Sequence, residues 1–265
     1  MSSYINARPS VELAFEELGQ ANSNAIPLII LHGFFASSRN WRQVGEKLAV
    51  KQHVYVVDMR NHGASPHHIS MDYSDMVADL LAFMDAQDIK QASLLGHSMG
   101  GKVAMWCALN HPERIDKLLV ADIAPVRYEH SFNALITALK SLPLDSLKNR
   151  KEAEQWLEPD IPELTYRQFL LQNLVLVNGE YSWRVDLDIF YETGDNIIGF
   201  PDVKTVKPYQ GAALFLAGED SNYVRREQLD ELFPLAQLSV IADAGHWLHV
   251  QQPVEFLSRV ESFLS

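Results

Sequence analysis

Leu94-Leu95-Gly96-His97-Ser98-Met99-Gly100-Gly101 is an apolar run that breaks into Gly-x-Ser-x-Gly. Lys102-Val103-Ala104-Met105-Trp106 then takes up a helical pattern. The order strand, sharp turn, helix sets Ser98 at the apex of an elbow that presents a nucleophile. A side chain at Gly96 or Gly100 would crowd so tight a turn, and glycine relieves it at little steric cost. The amides that open the following helix point at the apex and favour negative charge there. Ser98 is therefore the candidate nucleophile.

A rival pattern shares these residues. Gly96, Gly101 and Lys102 also satisfy the phosphate-loop spacing Gly-x-x-x-x-Gly-Lys. Such a loop next needs Ser or Thr to hold magnesium, and the chain has Val103. The acidic strand of a nucleotidase would fall on Lys117-Leu118-Leu119-Val120-Ala121-Asp122, but the missing hydroxyl weighs against that reading. The rest of the chain decides between the two.

Upstream, Pro27-Leu28-Ile29-Ile30-Leu31 reads as a strand buried on both faces. The loop His32-Gly33-Phe34-Phe35 follows it, where a serine hydrolase keeps its second oxyanion donor. The predicted donors are the backbone N–H groups of Phe34 and Met99. Losing one such donor slows acyl transfer roughly a hundred- to a thousandfold. Downstream, Leu238-Ser239-Val240-Ile241 is a short strand before Ala242-Asp243-Ala244-Gly245-His246-Trp247. A histidine in the loop after the last strand suits a general base, and the order nucleophile, acid, histidine fits. Among ten histidines, His249 is the nearest decoy, set by Pro253 where the loop gives way to a helix. His62, His67, His68, His111 and His130 have no comparable position. The His67-His68 pair lacks the companions of a metal site.

The acid has two candidates. Asp122 follows the strand ending at Ala121, and Asp220 follows Ala213-Leu214-Phe215-Leu216-Ala217-Gly218-Glu219. Many hydrolases place the acid three residues beyond the glycine that closes the penultimate strand, which here is Ser221. Asp220 falls one residue short, so the reading favours Asp122 and keeps Asp220 as the alternative.

These blocks, with Asp58-Met59-Arg60-Asn61-His62-Gly63-Ala64-Ser65 and Asp122-Ile123-Ala124-Pro125-Val126, resemble the α/β-hydrolase superfamily. More narrowly, Gly-His-Ser-Met-Gly-Gly-Lys with Asp-Ile-Ala-Pro is similar to the YbfF-like esterases and their ABHD11-type relatives. The resemblance implies an esterase or thioesterase that uses Ser, His and an Asp from the earlier strand end, hence Asp122. It also implies an auxiliary serine at the later strand end, which lands on Ser221. The acidic pair Glu219-Asp220 just before that serine departs from the bacterial pattern.

Apolar strands alternate with helical patterns, as in a mostly parallel sheet covered on both faces. Strands are expected at 12–17, 27–31, 53–58, 92–96, 117–121, 213–217 and 238–241, the first pairing antiparallel at the edge. Helices are expected at 41–50, 75–85, 102–110 and 254–264. The alternation stops between 126 and 206, where helical patterns at 132–141, 151–156 and 166–175 surround an Asn178-Gly179 hairpin signal. The expected architecture is an α/β-hydrolase core at 1–125 and 207–265 with a mainly helical cap at 126–206.

A hydrophobic fraction of 47% in 265 residues suffices for such a core. The net charge of −12 opposes nucleic acid, whose phosphates would be repelled. A lone Cys107 precludes an internal disulfide and fits a reducing compartment. Residues 1–19 show no secretion signal and no apolar run spans a bilayer, so the cytoplasm is expected. The substrate is expected to be a small ester or thioester of short to medium acyl chain, acyl-CoA included. No cofactor and no metal is called for. The alternatives are C–C cleavage or perhydrolysis by the same triad, or a non-catalytic ligand-binding protein.

Overall fold

Strand β2 (Leu28–Leu31) shows in four residues how the sheet is covered. Leu28 and Ile30 pack into the core on one face, Ile29 and Leu31 into the core on the other. Successive strand side chains alternate, so a strand apolar throughout must be buried on both sides. The structure, a computed structural model, describes residues 10–19 and 26–265. Residues 1–9, the first part of the segment expected to carry no secretion signal, lie outside the described residues.

The strands in chain order are β1 (Phe15–Leu18), β2, β3 (Val54–Val57), β4 (Ala92–His97), β5 (Ile115–Ala121), β6 (Leu174–Val177), β7 (Glu180–Trp183), β8 (Ala212–Gly218) and β9 (Gln237–Ile241). Seven of them form one sheet in the order β1-β3-β2-β4-β5-β8-β9. Only β1 is antiparallel, paired with β3 at the edge. Helices α1 (Ser38–Leu48) and α9 (Pro253–Leu264) cover one face through Trp41, Leu48, Phe256 and Val260. Helices α2 (Tyr73–Ala86) and α3 (Met99–Asn110) cover the other through Met76, Leu80, Val103 and Cys107. This is the mostly parallel sheet with helices on both faces that the sequence predicts.

Strand β1 starts at Phe15, three residues later than expected. The amides just before it are taken by side chains: Val11 donates to Asp79 and Ala14 to Ser65, each at 2.8 Å. They therefore never enter the ladder.

The chain leaves the sheet after β5 and returns at β8, its neighbour. Between them lie α4 (Asn133–Lys140), α5 (Arg150–Leu157), α6 (Leu164–Leu170), the β6–β7 hairpin and α7 (Leu187–Ile198). Asn178 and Gly179 take φ of 53° and 89°, two consecutive positive values of the kind a tight hairpin requires. The helix expected at 166–175 stops at Leu170, because Leu174–Val177 pairs with β7 instead. Helix α7 was not expected. Its N-cap Asp186 accepts from the amides of Asp188 and Ile189, but Thr193 and Gly194 weaken the helical pattern within it. A short helix α8 (Leu248–Gln251) follows β9. Among the described residues no helix is long and apolar enough to cross a membrane.

The elbow is packed tightly against backbone. A Cβ at Gly100 would lie 2.3 Å from the Leu31 carbonyl oxygen, and one at Gly96 would lie 2.3 Å from the Gly100 oxygen. Both neighbours are backbone, so neither can move aside. Gly100→Ala is expected to cost about 4 kcal/mol or more, read as a large fall in Tm or loss of soluble protein.

Candidate active site

Ser98 sits between β4 and α3 at φ 51° and ψ −119°, a strained backbone for a residue with a side chain. Its amide donates to the Ala121 carbonyl at 3.2 Å, and its carbonyl accepts from the Lys102 amide at 3.1 Å. The elbow is thus fastened on one side to the end of β5 and on the other to the first turn of α3.

Asp122, the residue after β5, is fully buried at φ 51°. Its Oδ1 accepts from the Gly218 amide at 3.0 Å. Its Oδ2 accepts from the Ser221 hydroxyl at 2.5 Å and meets His246 Nδ1 at 2.8 Å. A carboxylate buried this way is held by three donors, and the third fixes the imidazole with Nδ1 protonated and Nε2 free. Asp220 stands exposed, with its amide donating to the Ala244 carbonyl at 2.9 Å. The structure therefore brings Asp122, Ser221 and His246 together and leaves Asp220 at the surface.

His246 is held from two further directions. Its carbonyl accepts from His97 Nε2 at 2.8 Å. The Tyr223 ring lies against its imidazole, centroids 4.3 Å apart and planes 30° apart. The decoy His249 lies in α8 and stacks on Trp41 at 4.1 Å. Burial holds its pKa down to about 3 and pushes His97 well below the usual range, so both rings are neutral.

The Phe34–Phe35 loop abuts Ser98: a Cβ at Gly33 would lie 3.2 Å from the Ser98 Cβ. The neighbouring amides are committed, Phe35 to His62 Nε2 at 3.2 Å, Ala36 to the Gly33 carbonyl at 3.1 Å and Gly100 to the His32 carbonyl at 3.1 Å. Among the described residues the Phe34 and Met99 amides have no such acceptor. Two histidines hold this loop in shape. His32 Nδ1 donates to the Gly33 carbonyl at 2.8 Å and its Nε2 accepts from the Met59 amide at 3.0 Å. His62 Nδ1 donates to the Arg60 carbonyl at 2.8 Å. Burial depresses both pKa values, which keeps each ring neutral with one acceptor nitrogen. No local signal in the sequence marks His62 for this role, because its partner lies 27 residues away.

Ser98, His246, Met99, Phe34 and Phe35 line one cavity of about 350 Å³. Tyr128, His130, Phe132, Tyr166, Phe169, Ile197 and Ile198 of the insertion line it too. Phe34 stacks on Phe190 of α7 at 4.4 Å and meets Phe132 at 4.9 Å, joining core and insertion over the cavity. Lys102, the lysine of the rival phosphate-loop pattern, is buried. Its Nζ donates to the carbonyls of Ile198 at 2.9 Å and Gly199 at 2.6 Å. It ties α3 to the end of α7 and has no phosphate-facing position. The Cys107 thiol is buried and its pKa is pushed up to about 12, which leaves it unreactive. Among the described residues no group of three or more His, Cys, Asp or Glu side chains forms a metal-holding cluster.

Residues 26–253 match the α/β hydrolase fold family. The chain is 38% identical to an sn-1-specific diacylglycerol lipase, ABHD11, of Danio rerio, over 91% of this chain and 79% of that one. It is 34% identical to the esterase YbfF of Escherichia coli strain K12, over 94% of this chain and 97% of that one. A solved structure, a marine microorganism esterase, superposes with a TM-score of 0.90 at 40% identity, covering 96% of this chain and all of that one. With the fold, the elbow and these likenesses agreeing along nearly its whole length, the chain belongs to the α/β-hydrolase family, among its YbfF- and ABHD11-type esterases.

Proposed function

We propose that this carboxylic-ester hydrolase works by two-step acyl transfer, with Ser98 as nucleophile, His246 as general base and Asp122 as the acid that orients it. The observation that carries this reading is the 2.8 Å contact between His246 Nδ1 and the buried Asp122 carboxylate, in the cavity that Ser98 lines. With Nδ1 committed, Nε2 is free to take the Ser98 proton as its oxygen attacks the acyl carbon. The Phe34 and Met99 amides stabilise the resulting oxyanion. Collapse expels the alcohol or thiol, which takes its proton from His246. A water deprotonated by the same nitrogen then attacks the acyl-enzyme, and the acid leaves. Ser221 shares the Asp122 oxygen with His246 and limits how far that carboxylate can turn. The face of Tyr223 supports the imidazolium that forms in each step.

The cavity favours an uncharged acyl group of short to medium length. About 350 Å³ lies at the low end of the roughly 300–1,000 Å³ of ligand pockets, and its walls are largely aromatic and aliphatic. Residues 126–206 act as the cap that closes this pocket against water. Thioesters, acyl-CoA among them, fall within the same chemistry. The buried, unreactive Cys107 suits a cytoplasmic setting.

Hydrolysis of p-nitrophenyl esters across a chain-length series tests the reading. Activity is expected to peak at a short or medium acyl chain and to fall several-fold for long ones. Near-zero turnover of every ester would favour C–C or perhydrolase chemistry at this site.

A further inference from the structure

Beside the acyl pocket lies a second cavity of about 370 Å³, with Arg39, Arg150 and Arg184 in its walls. Phe35 and Asn40 line both cavities, so the two adjoin at the oxyanion loop. Seven of the eleven described arginines pair with a carboxylate within 4 Å. Eleven less seven leaves four, and three of those four line this one cavity. Such convergence of unpaired guanidinium groups is unfavourable by itself. The Arg184 pKa is lowered by burial first and then by Arg39, with Arg150 adding to it and Asp58 opposing. Asp58 offsets part of this repulsion but forms no ion pair within 4 Å with any of the three, its carboxylate being taken by the Ser38 amide at 2.6 Å and the Ala64 amide at 2.9 Å.

The cavity is also built rather than left over. Arg150 donates to the carbonyls of Leu171, at 2.5 Å, and Leu174, which fixes its guanidinium plane. Asn173 donates to the Phe35 carbonyl at 2.7 Å, and Asn40 donates to Gln172 at 2.7 Å while accepting from the Ser37 amide at 2.9 Å. On a chain of net charge −12, a polyanion is repelled at long range. A local cluster of arginines reverses that sign at one place. Planar forks that hold two oxygens at once suit phosphate better than a single carboxylate.

We propose that Arg39, Arg150 and Arg184 form a phosphate subsite beside the acyl pocket, which binds the phosphate-bearing leaving group of the ester or thioester substrate. The proposal rests on the acyl-transfer reading above. In this arrangement the acyl chain lies in the aromatic pocket, the scissile carbonyl lies at Ser98, and the alcohol or thiol half extends past Asn40. The subsite adds no chemical step; it positions the half of the substrate that leaves.

Pairs of substrates that differ only in phosphate test it. Butanoyl-CoA is compared with the butanoyl thioester of N-acetylcysteamine, and a butanoylglycerol phosphate with butanoylglycerol. The measured quantity is the ratio of kcat/KM, charged over neutral, in wild type, in Arg39→Glu and in the double variant Arg39→Gln/Arg184→Gln. Arg39 is exposed at the start of α1, so its single variant keeps the fold if Arg184 proves structural. The ratio is expected to fall about tenfold or more in at least one pair, through KM. A fall in the CoA pair alone assigns a nucleotide-bearing thiol, and a fall in the glycerol pair alone assigns a lipid headgroup. A ratio unchanged in both pairs, with neutral substrates still cleaved, would overturn the subsite and leave the acyl-transfer reading standing. Loss of turnover on all four substrates in wild type would overturn both.

Discussion

Ser98→Ala is expected to lower kcat on p-nitrophenyl esters by about a millionfold while the protein stays folded. The magnitude follows from serine hydrolases whose triad acts as a unit, where removing the nucleophile costs nearly as much as removing all three residues. Folding is expected to survive because alanine keeps the backbone that serine adopts at φ 51°, and the elbow is held by backbone bonds to Ala121 and Lys102. Steady-state assays with a thermal melt of each protein check both halves. Residual turnover within a hundredfold of wild type would remove Ser98 from the mechanism.

Asp122→Asn is expected to lower kcat by about ten-thousandfold, by analogy with the same change in a serine protease triad. An amide has one acceptor oxygen where the carboxylate uses two, so with that oxygen on the Gly218 amide the NH2 group faces Nδ1 and cannot accept its proton. The imidazole then shifts to the tautomer with Nε2 protonated, which cannot accept the Ser98 proton. Asparagine tolerates the left-handed backbone at this position, so the loss is expected to be chemical rather than structural. Asp220→Asn, at an exposed position, is expected to change kcat less than about threefold. A reversed pair of results would transfer the acid role to Asp220.

The two candidate acids show where sequence stops being sufficient. Asp122 and Asp220 each stand at the end of an apolar strand, and the one-residue offset of Asp220 favours Asp122 without deciding the choice. Their environments separate only because β5 and β8 are neighbours in the sheet. The Gly218 amide and Ser221 hydroxyl then reach back to Asp122, 96 and 99 residues away. The elbow, by contrast, is legible because everything that shapes it is local: strand, glycines, serine and helix are contiguous. The strand ends that carry Phe34 and His246 are legible for the same reason.

The insertion was less legible. Its helices are short, and the segment 166–175 carries a pattern that a helix and a hairpin strand can each use; pairing with β7 settles it. Helix α7 escaped because its interior residues are poor helix formers, and its burial against Phe34 supplies what propensity does not. Long-range groupings left no trace. His32 and His62 act through loops that meet only in the fold. The three arginines of the second cavity span positions 39 to 184, so no sequence window contains them.

The central claim is that acyl transfer passes through Ser98. Intact-mass analysis after treatment with a fluorophosphonate, followed by peptide mapping, tests it most directly. One adduct per chain, on Ser98, absent from Ser98→Ala and formed far more slowly in Asp122→Asn, is the predicted result. An adduct on another residue, or none in a protein that still hydrolyses esters, would contradict it.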